Sequence, residues 1–163
     1  MMTVETRIVF KDFLIFNLKN SLLRIIVFPI IALIFFGINY YHADNDNREF
    51  LESSSIWLLI FFVFIIIRTY FSVRRIFYSN QMIQEHISYT FTNENIYSKG
   101  ETFDSEFAWD TVYKVKEKKD WFLIYQTAQI MNMVPKKFFT NDQILEFRNM
   151  VKNNKVRSKL RND

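Results

Sequence analysis

LLRIIVFPIIALIFFGINYY, residues 22–41, is the stretch that decides what kind of protein this is. As a helix rising about 1.5 Å per residue it reaches across the roughly 30 Å hydrocarbon core of a bilayer. Arg24 lies near one end, where a long side chain can reach the headgroups. Pro29 and Gly37 weaken a helix in water but are tolerated in membrane helices, and Asn39, Tyr40 and Tyr41 suit the opposite interface.

A second run, IWLLIFFVFIIIRTYFSV at residues 56–73, is apolar without a break only from Ile56 to Ile67. Arg68 snorkelling toward the headgroups, with Trp57 and Tyr70 at the two interfaces, extends it to a full crossing. The rival reading is a soluble protein with both runs as core helices. Helices apolar on every side need more covering material than so short a chain has left.

Between the runs lies HADNDNREFLESSS, residues 42–55, with Arg48 against Asp44, Asp46, Glu49 and Glu52. The outer flanks are basic: Arg7, Lys11, Lys19 and Arg24 on one side, Arg68, Arg74 and Arg75 on the other. The positive-inside rule then places both termini in the cytoplasm and the acidic loop outside. The first twenty residues carry Glu5, Arg7, Lys11, Asp12 and Lys19 without an apolar h-region, which argues against a cleaved signal peptide.

The remainder changes period. Val4, Thr6, Ile8 and Phe10 alternate with Glu5 and Arg7 as in a strand, and Phe13, Leu14, Leu18 and Leu22 then recur at helical spacing, as an interfacial helix would. After the second run, Val73, Ile76, Phe77 and Ile83 keep a helical period to about Gln84. From His86 the period is two. Ile87, Tyr89 and Phe91 lead to a turn flanked by Asn93 and Asn95, and further short strands follow at 102–108, 111–117, 121–126 and 129–134. Thr140 and Gln143 form a capping box ahead of Ile144, Leu145, Phe147 and Val151, one face of a helix that can close the sheet.

The expected class is therefore an α+β membrane protein: a two-helix transmembrane hairpin plus a small antiparallel β-sheet domain closed by a C-terminal helix. The segments are 1–21 (strand and interfacial helix), 22–41 and 55–73 (spans), 42–54 (extracytoplasmic loop), 74–84 (cytoplasmic helical extension), 85–153 (β domain with its helix) and 154–163 (basic disordered tail).

Composition narrows the chemistry. The 163 residues hold 19 Phe and 8 Tyr but only 2 Gly and 2 Pro, so loop-built sites have little material. Without cysteine there are no disulfides, thiolate metal sites or thiol nucleophiles. His42 and His86 fall on opposite sides of the membrane in this topology, and neither a phosphate-cradling glycine loop nor a nucleophile elbow occurs. No enzymatic activity and no cofactor are expected. His42, Asp44, Asp46, Glu49 and Glu52 could offer oxygens to a hard cation, but their spacing matches no calcium loop, and a solvated acidic loop accounts for them.

The motifs ISYTFTNENIY (87–97), WDTVYKVKE (109–117), FLIY (122–125) and VPKKFF (134–139), in that order after a helical hairpin, resemble the YcxB-like family of small bacterial membrane proteins. The resemblance covers about Thr3 to Asn153. It implies two spans and a C-terminal domain of pleckstrin-homology-like character, and it implies little about activity.

The positive net charge, +4 with a pI near 9.2, sits beside the apolar runs. Arg68, Arg74, Arg75, Lys136 and Lys137 are the candidate contacts to anionic lipid headgroups or a cytoplasmic protein partner, since each basic residue near an anionic surface contributes about 1 kcal/mol. Topology-setting charge explains the same residues. The basic tail lacks interleaved aromatics, so nucleic acid is not an expected partner. The leading expectation is a non-enzymatic binding or scaffold module in the cell inner membrane. The alternative is an oligomeric channel or transport-accessory subunit, for which only Asn39, Arg68 and Thr69 offer polar groups at membrane depth.

Overall fold

The computed structural model describes residues 1–42 and 45–161, and for residues 22–24, 45–46 and 49–53 the backbone only. The chain forms two compact units, Val9–Asn80 and Met1–Ile8 with Gln81–Asp163.

The helical unit begins with α1 (Phe10–Leu22) and continues through a π-helical turn, Leu23–Val27, into α2 (Phe28–His42). Pro29 accounts for the irregular turn. In a continuous α-helix its ring meets the carbonyl four residues back, and a widened turn just before it relieves that clash. Asn39 and Thr69 each donate to the carbonyl one turn earlier, Phe35 O at 2.7 Å and Ile65 O at 2.8 Å, so each directs a side-chain donor back onto its own helix.

The long helix α3 (Asn45–Ser79) corrects the expected loop at 42–54. No glycine or proline interrupts 45–79, and the helix therefore propagates back through most of the polar stretch. Asp44 lies outside the described residues, as do the side chains of Arg24, Asp46, Glu49 and Glu52, so the acidic cation-binding idea falls there too. At its far end α3 carries Tyr70, Phe77 and Tyr78 on one face. Phe10 of α1 packs against these rings with centroids 6.1, 5.6 and 5.6 Å away, and Phe13, Phe16, Val73 and Phe77 are buried at this contact. The helical extension expected to run unbroken to residue 84 is interrupted at Asn80, and a short α4 (Gln81–Gln84) follows.

The other unit contains two four-stranded sheets. The first has the order β1-β2-β3-β4, with β1 (Met2–Arg7), β2 (His86–Phe91), β3 (Asn95–Lys99) and β4 (Asp104–Ala108), all antiparallel. β1 is thus an edge strand of this sheet, in register from Met2 opposite Phe91 to Arg7 opposite His86. Its alternation buries Met2, Val4 and Thr6 beside Ile87, Tyr89 and Phe91. The expected assignment of residues 1–21 to a separate segment is corrected accordingly.

The start of β4 is delayed from the expected residue 102 because the preceding turn wraps a carboxylate. Glu85 accepts from the backbone N–H of Glu101 (2.7 Å) and Thr102 (3.0 Å) and from the Thr102 hydroxyl (2.5 Å). Gly100 makes the approach possible, since a Cβ there would lie 2.5 Å from Glu85 Oε2.

The second sheet has the order β7-β6-β5-β8, with β5 (Lys114–Glu117), β6 (Trp121–Tyr125), β7 (Met131–Pro135) and β8 (Ser158–Lys159). α5 (Asn141–Asn153) carries the expected capping box, Thr140 accepting from Gln143 N while Gln143 accepts from Thr140 N. Phe147 of α5 is the plug of the core. It is fully buried, with ring centroids 4.9 Å from Phe91 of the first sheet and 4.4 Å from Phe122 of the second. Trp109 lies 6.0 Å from it and donates its indole N–H to Thr92 O at 2.9 Å.

The expected disordered tail, 154–163, is corrected over its described residues, 154–161. After α5 the N–H of Val156 donates to Val151 O (3.2 Å) and that of Lys155 to Lys152 O (2.9 Å), a Schellman ending with Lys155 in the left-handed region at φ 53°. This reversal sends the chain back along β5, where β8 pairs in parallel, and Val156 and Leu160 pack on the core. Burial of those two apolar residues, together with a free edge on β5, explains why the segment is ordered.

Candidate functional site

The residues singled out in the sequence do not form one site. Arg68, Arg74 and Arg75 lie along α3 with exposed side chains, and the Arg74 guanidinium rests over the Tyr78 ring at 5.5 Å. Lys136 and Lys137 fall in the turn between β7 and α5 and face different ways. Lys137 is exposed, its ammonium 5.0 Å from the Phe138 ring centroid. Lys136 is turned inward, its side chain only 13% exposed, and it bonds Glu117 Oε1 at 2.6 Å over the face of Phe122. As a candidate surface contact Lys136 is therefore corrected to an internal ion-pair residue.

Glu117 is the centre of this arrangement, and reading the sequence missed it. It accepts Arg148 through two bonds, Nε at 3.0 Å and Nη2 at 2.7 Å, together with Lys136 Nζ and the backbone N–H of Arg161 at 3.0 Å. One carboxylate thereby joins β5, the turn after β7, α5 and the segment that follows β8. Burial pushes its pKa up, but the hydrogen bonds from Arg148, Lys136 and Arg161 and the Lys136 charge outweigh burial and hold it below the usual carboxylate value. So saturated a carboxylate has no lone pair placed for proton transfer; its role is to hold cations. The signal was the alternation of β5, which puts Glu117 on the same inward face as Val115. A strand-end glutamate usually reaches solvent, and only the packing of α5 brings Arg148 to it.

Glu85 is the other lowered carboxylate, held down mainly by the Thr102 hydroxyl and the turn N–H groups. It is a fold device, with no cation beside it in these bonds.

Around the Glu117 cluster opens a surface pocket of about 350 Å³ lined by Lys119, Lys136, Arg148, Arg161, Asn141, Ile144 and Leu145. Lys119 comes from the β5–β6 turn, Asn141 from the start of α5, and Arg161 from the tail that β8 docks. The helical unit has a different kind of opening, an apolar cleft of about 510 Å³ between α2 and α3 lined by residues such as Phe28, Ala32, Phe61 and Ile65. Among the described residues no three His, Asp or Glu side chains group as a metal site would require.

Residues 91–151, from the last residue of β2 to the buried face of α5, match the family described as YcxB-like protein, so this part of the chain is YcxB-like. No curated protein and no solved structure matches the chain.

Proposed function

We propose that this YcxB-like chain is a non-enzymatic, membrane-anchored binding module. Its two apolar helices sit in a bilayer, and its β unit, of pleckstrin-homology-like character, is presented on the cytoplasmic side to anionic lipid headgroups or a protein partner. One observation carries this reading. The stretches Ile25–His42 and Ser54–Ser79 are long and apolar enough to cross a membrane, and only 0% and 6% of them is buried by the protein itself. Phe28 is 74% exposed and Trp57 68%. Each such side chain left in water forgoes about 1.5–3 kcal/mol, and a bilayer supplies the missing environment.

The β1–β2 ladder supports two crossings. It joins the strand before the helical unit to the strand after it, and a single crossing would leave those strands on opposite sides of the membrane. The basic flanks favour the cytoplasmic side for the β unit. Two sheets sharing one core plugged by a C-terminal helix agree with a pleckstrin-homology-like domain. The channel alternative is less well supported, because Asn39 and Thr69 each turn a side-chain donor back onto their own helix and leave little material for a polar pathway.

Single cysteines introduced into the cysteine-free chain test the topology. Asn47→Cys in α3 should label with an impermeant maleimide in intact cells, and Asn93→Cys in the exposed β2–β3 turn only after permeabilisation. Equal labelling of both in intact cells, or release of the protein by alkaline carbonate, would defeat the proposal.

A further inference from the structure

We infer that one end of the second sheet is a docking surface for an anionic membrane, built from Tyr113, Lys114, Lys116, Tyr125 and Ile130. The strand period puts Lys114 and Lys116 of β5 on the outward face, and the register sets Tyr125 of β6 opposite Lys114. The Lys114 ammonium lies 5.0 Å from the Tyr113 ring centroid and 4.6 Å from that of Tyr125, and the Lys116 ammonium 5.9 Å from Tyr125. Both lysines are half-buried, and among the described residues neither is ion-paired to a carboxylate. Aromatic faces hold an ammonium in place but, unlike a carboxylate, leave its charge uncompensated. Two positioned positive charges therefore face outward. β8 runs parallel to β5, from Ser158 opposite Val115 to Lys159 opposite Lys116, so the described tail leads away from Lys114.

The same end of the sheet exposes apolar material. Tyr113 is 44% exposed and Ile130, in the β6–β7 hairpin, 59%. Tyr113 is fixed by its N–H to Tyr125 O at 2.9 Å, and Ile130 by its carbonyl, which accepts from Gln126 N at 3.0 Å. Tyrosine rings at headgroup depth, lysine ammoniums reaching lipid phosphates and an aliphatic tip at the acyl boundary together suit a membrane interface. A protein partner fits less well, since lysine is depleted at the centres of protein–protein interfaces. The inference deepens the membrane-anchored reading and rests on it for holding the β unit beside a bilayer.

Full-length protein is reconstituted into liposomes of phosphatidylcholine, or of phosphatidylcholine mixed with phosphatidylglycerol, each carrying a lipid quencher spin-labelled at the headgroup. An NBD fluorophore on Gln129→Cys, beside Ile130, reports the hairpin, and one on Asn93→Cys in the β2–β3 turn is the control. Quenching of the hairpin label should be strong in anionic membranes and weak in neutral ones, and the control should stay unquenched in both. Lys114→Gln/Lys116→Gln should lower the ratio of docked to undocked protein about 25-fold, each charge at an anionic surface being worth about fivefold. The charge-keeping Lys114→Arg/Lys116→Arg variant should stay within about threefold of the parent. If the neutral variant unfolds, added salt carries the same test on the parent protein, because screening should undock the hairpin. Hairpin quenching no greater than the control, or indifferent to lipid charge, to the neutral variant or to salt, overturns the inference. A hairpin that ignores both membranes while the protein binds polyglutamate overturns it in favour of an acidic protein partner. Anchoring is read separately by NBD on Leu33→Cys in α2, which a mid-chain spin label should quench whether or not the hairpin docks.

Discussion

Phenylalanine does opposite work in the two units. Phe91, Phe122 and Phe147 of the β unit are 0% exposed, and their rings meet at 4.4–4.9 Å around α5, while Phe35, Phe64 and Phe71 of the helical unit are 58–62% exposed. The β unit behaves as a water-soluble core should, with apolar side chains packed at near-crystalline density. Among the described residues of the helical unit, the fully buried side chains lie at the α1–α3 contact and most of the apolar side chains of α2 and α3 are exposed, an arrangement that is stable where the solvent is hydrocarbon. One residue type is buried in one unit and exposed in the other, as the proposed bilayer setting of the helical unit requires, and the difference can be attacked by substitution.

The largest effect should come from Phe147→Ala, which empties the point where both sheets and α5 meet and should cost the β unit about 3–5 kcal/mol. Phe64→Ala, on the exposed face of α3, should change that stability by less than about 0.5 kcal/mol. Urea unfolding in detergent checks both, followed by the fluorescence of Trp109 and Trp121 in a Trp57→Phe background. Equal losses would mean that the two units share one core.

Glu117→Gln comes next. It leaves Lys136 and Arg148 desolvated without their carboxylate and should cost about 3 kcal/mol. The same group sharpens the contrast through pH. Its folded-state pKa lies below the ordinary value of 4.5, so its stabilisation is complete above that value and is lost as pH falls through the lower folded-state value. Glu85 acts with the same sign. Acid should therefore unfold the β unit below about pH 4.5 while helical circular dichroism from the α2–α3 region persists, and Glu117→Gln should flatten part of that acid limb. An unchanged acid limb in the variant would remove Glu117 from this account.

The smallest effect has the opposite sign. Lys155→Gly replaces a left-handed lysine with the residue that adopts that conformation freely and should stabilise the β unit by about 0.5–1 kcal/mol. A loss instead would show that the Lys155 side chain does more for the tail than the turn does.

Much of this architecture is written locally. The apolar runs, the alternation in β2 and β3, and the Thr140–Gln143 capping box all appear where the residues predict them, because each depends on neighbours a few positions away. The candidate site was far less legible. Lys136 and Lys137 are adjacent and alike in sequence, yet one is spent on Glu117 and the other is exposed, a distinction made by the direction of a single turn.

By itself the sequence determined that the chain holds two stretches apolar on every side and a period-two region ended by a capped helix, since hydrophobic periodicity and capping are short-range properties. Only the tertiary structure decided that β1 pairs with β2 across the whole helical unit, that the tail returns as β8, and that Glu117 gathers Lys136, Arg148 and the N–H of Arg161. Such pairings depend on which sheet edges stand open and which charges are buried together once the core has closed, and no local window of residues contains that information.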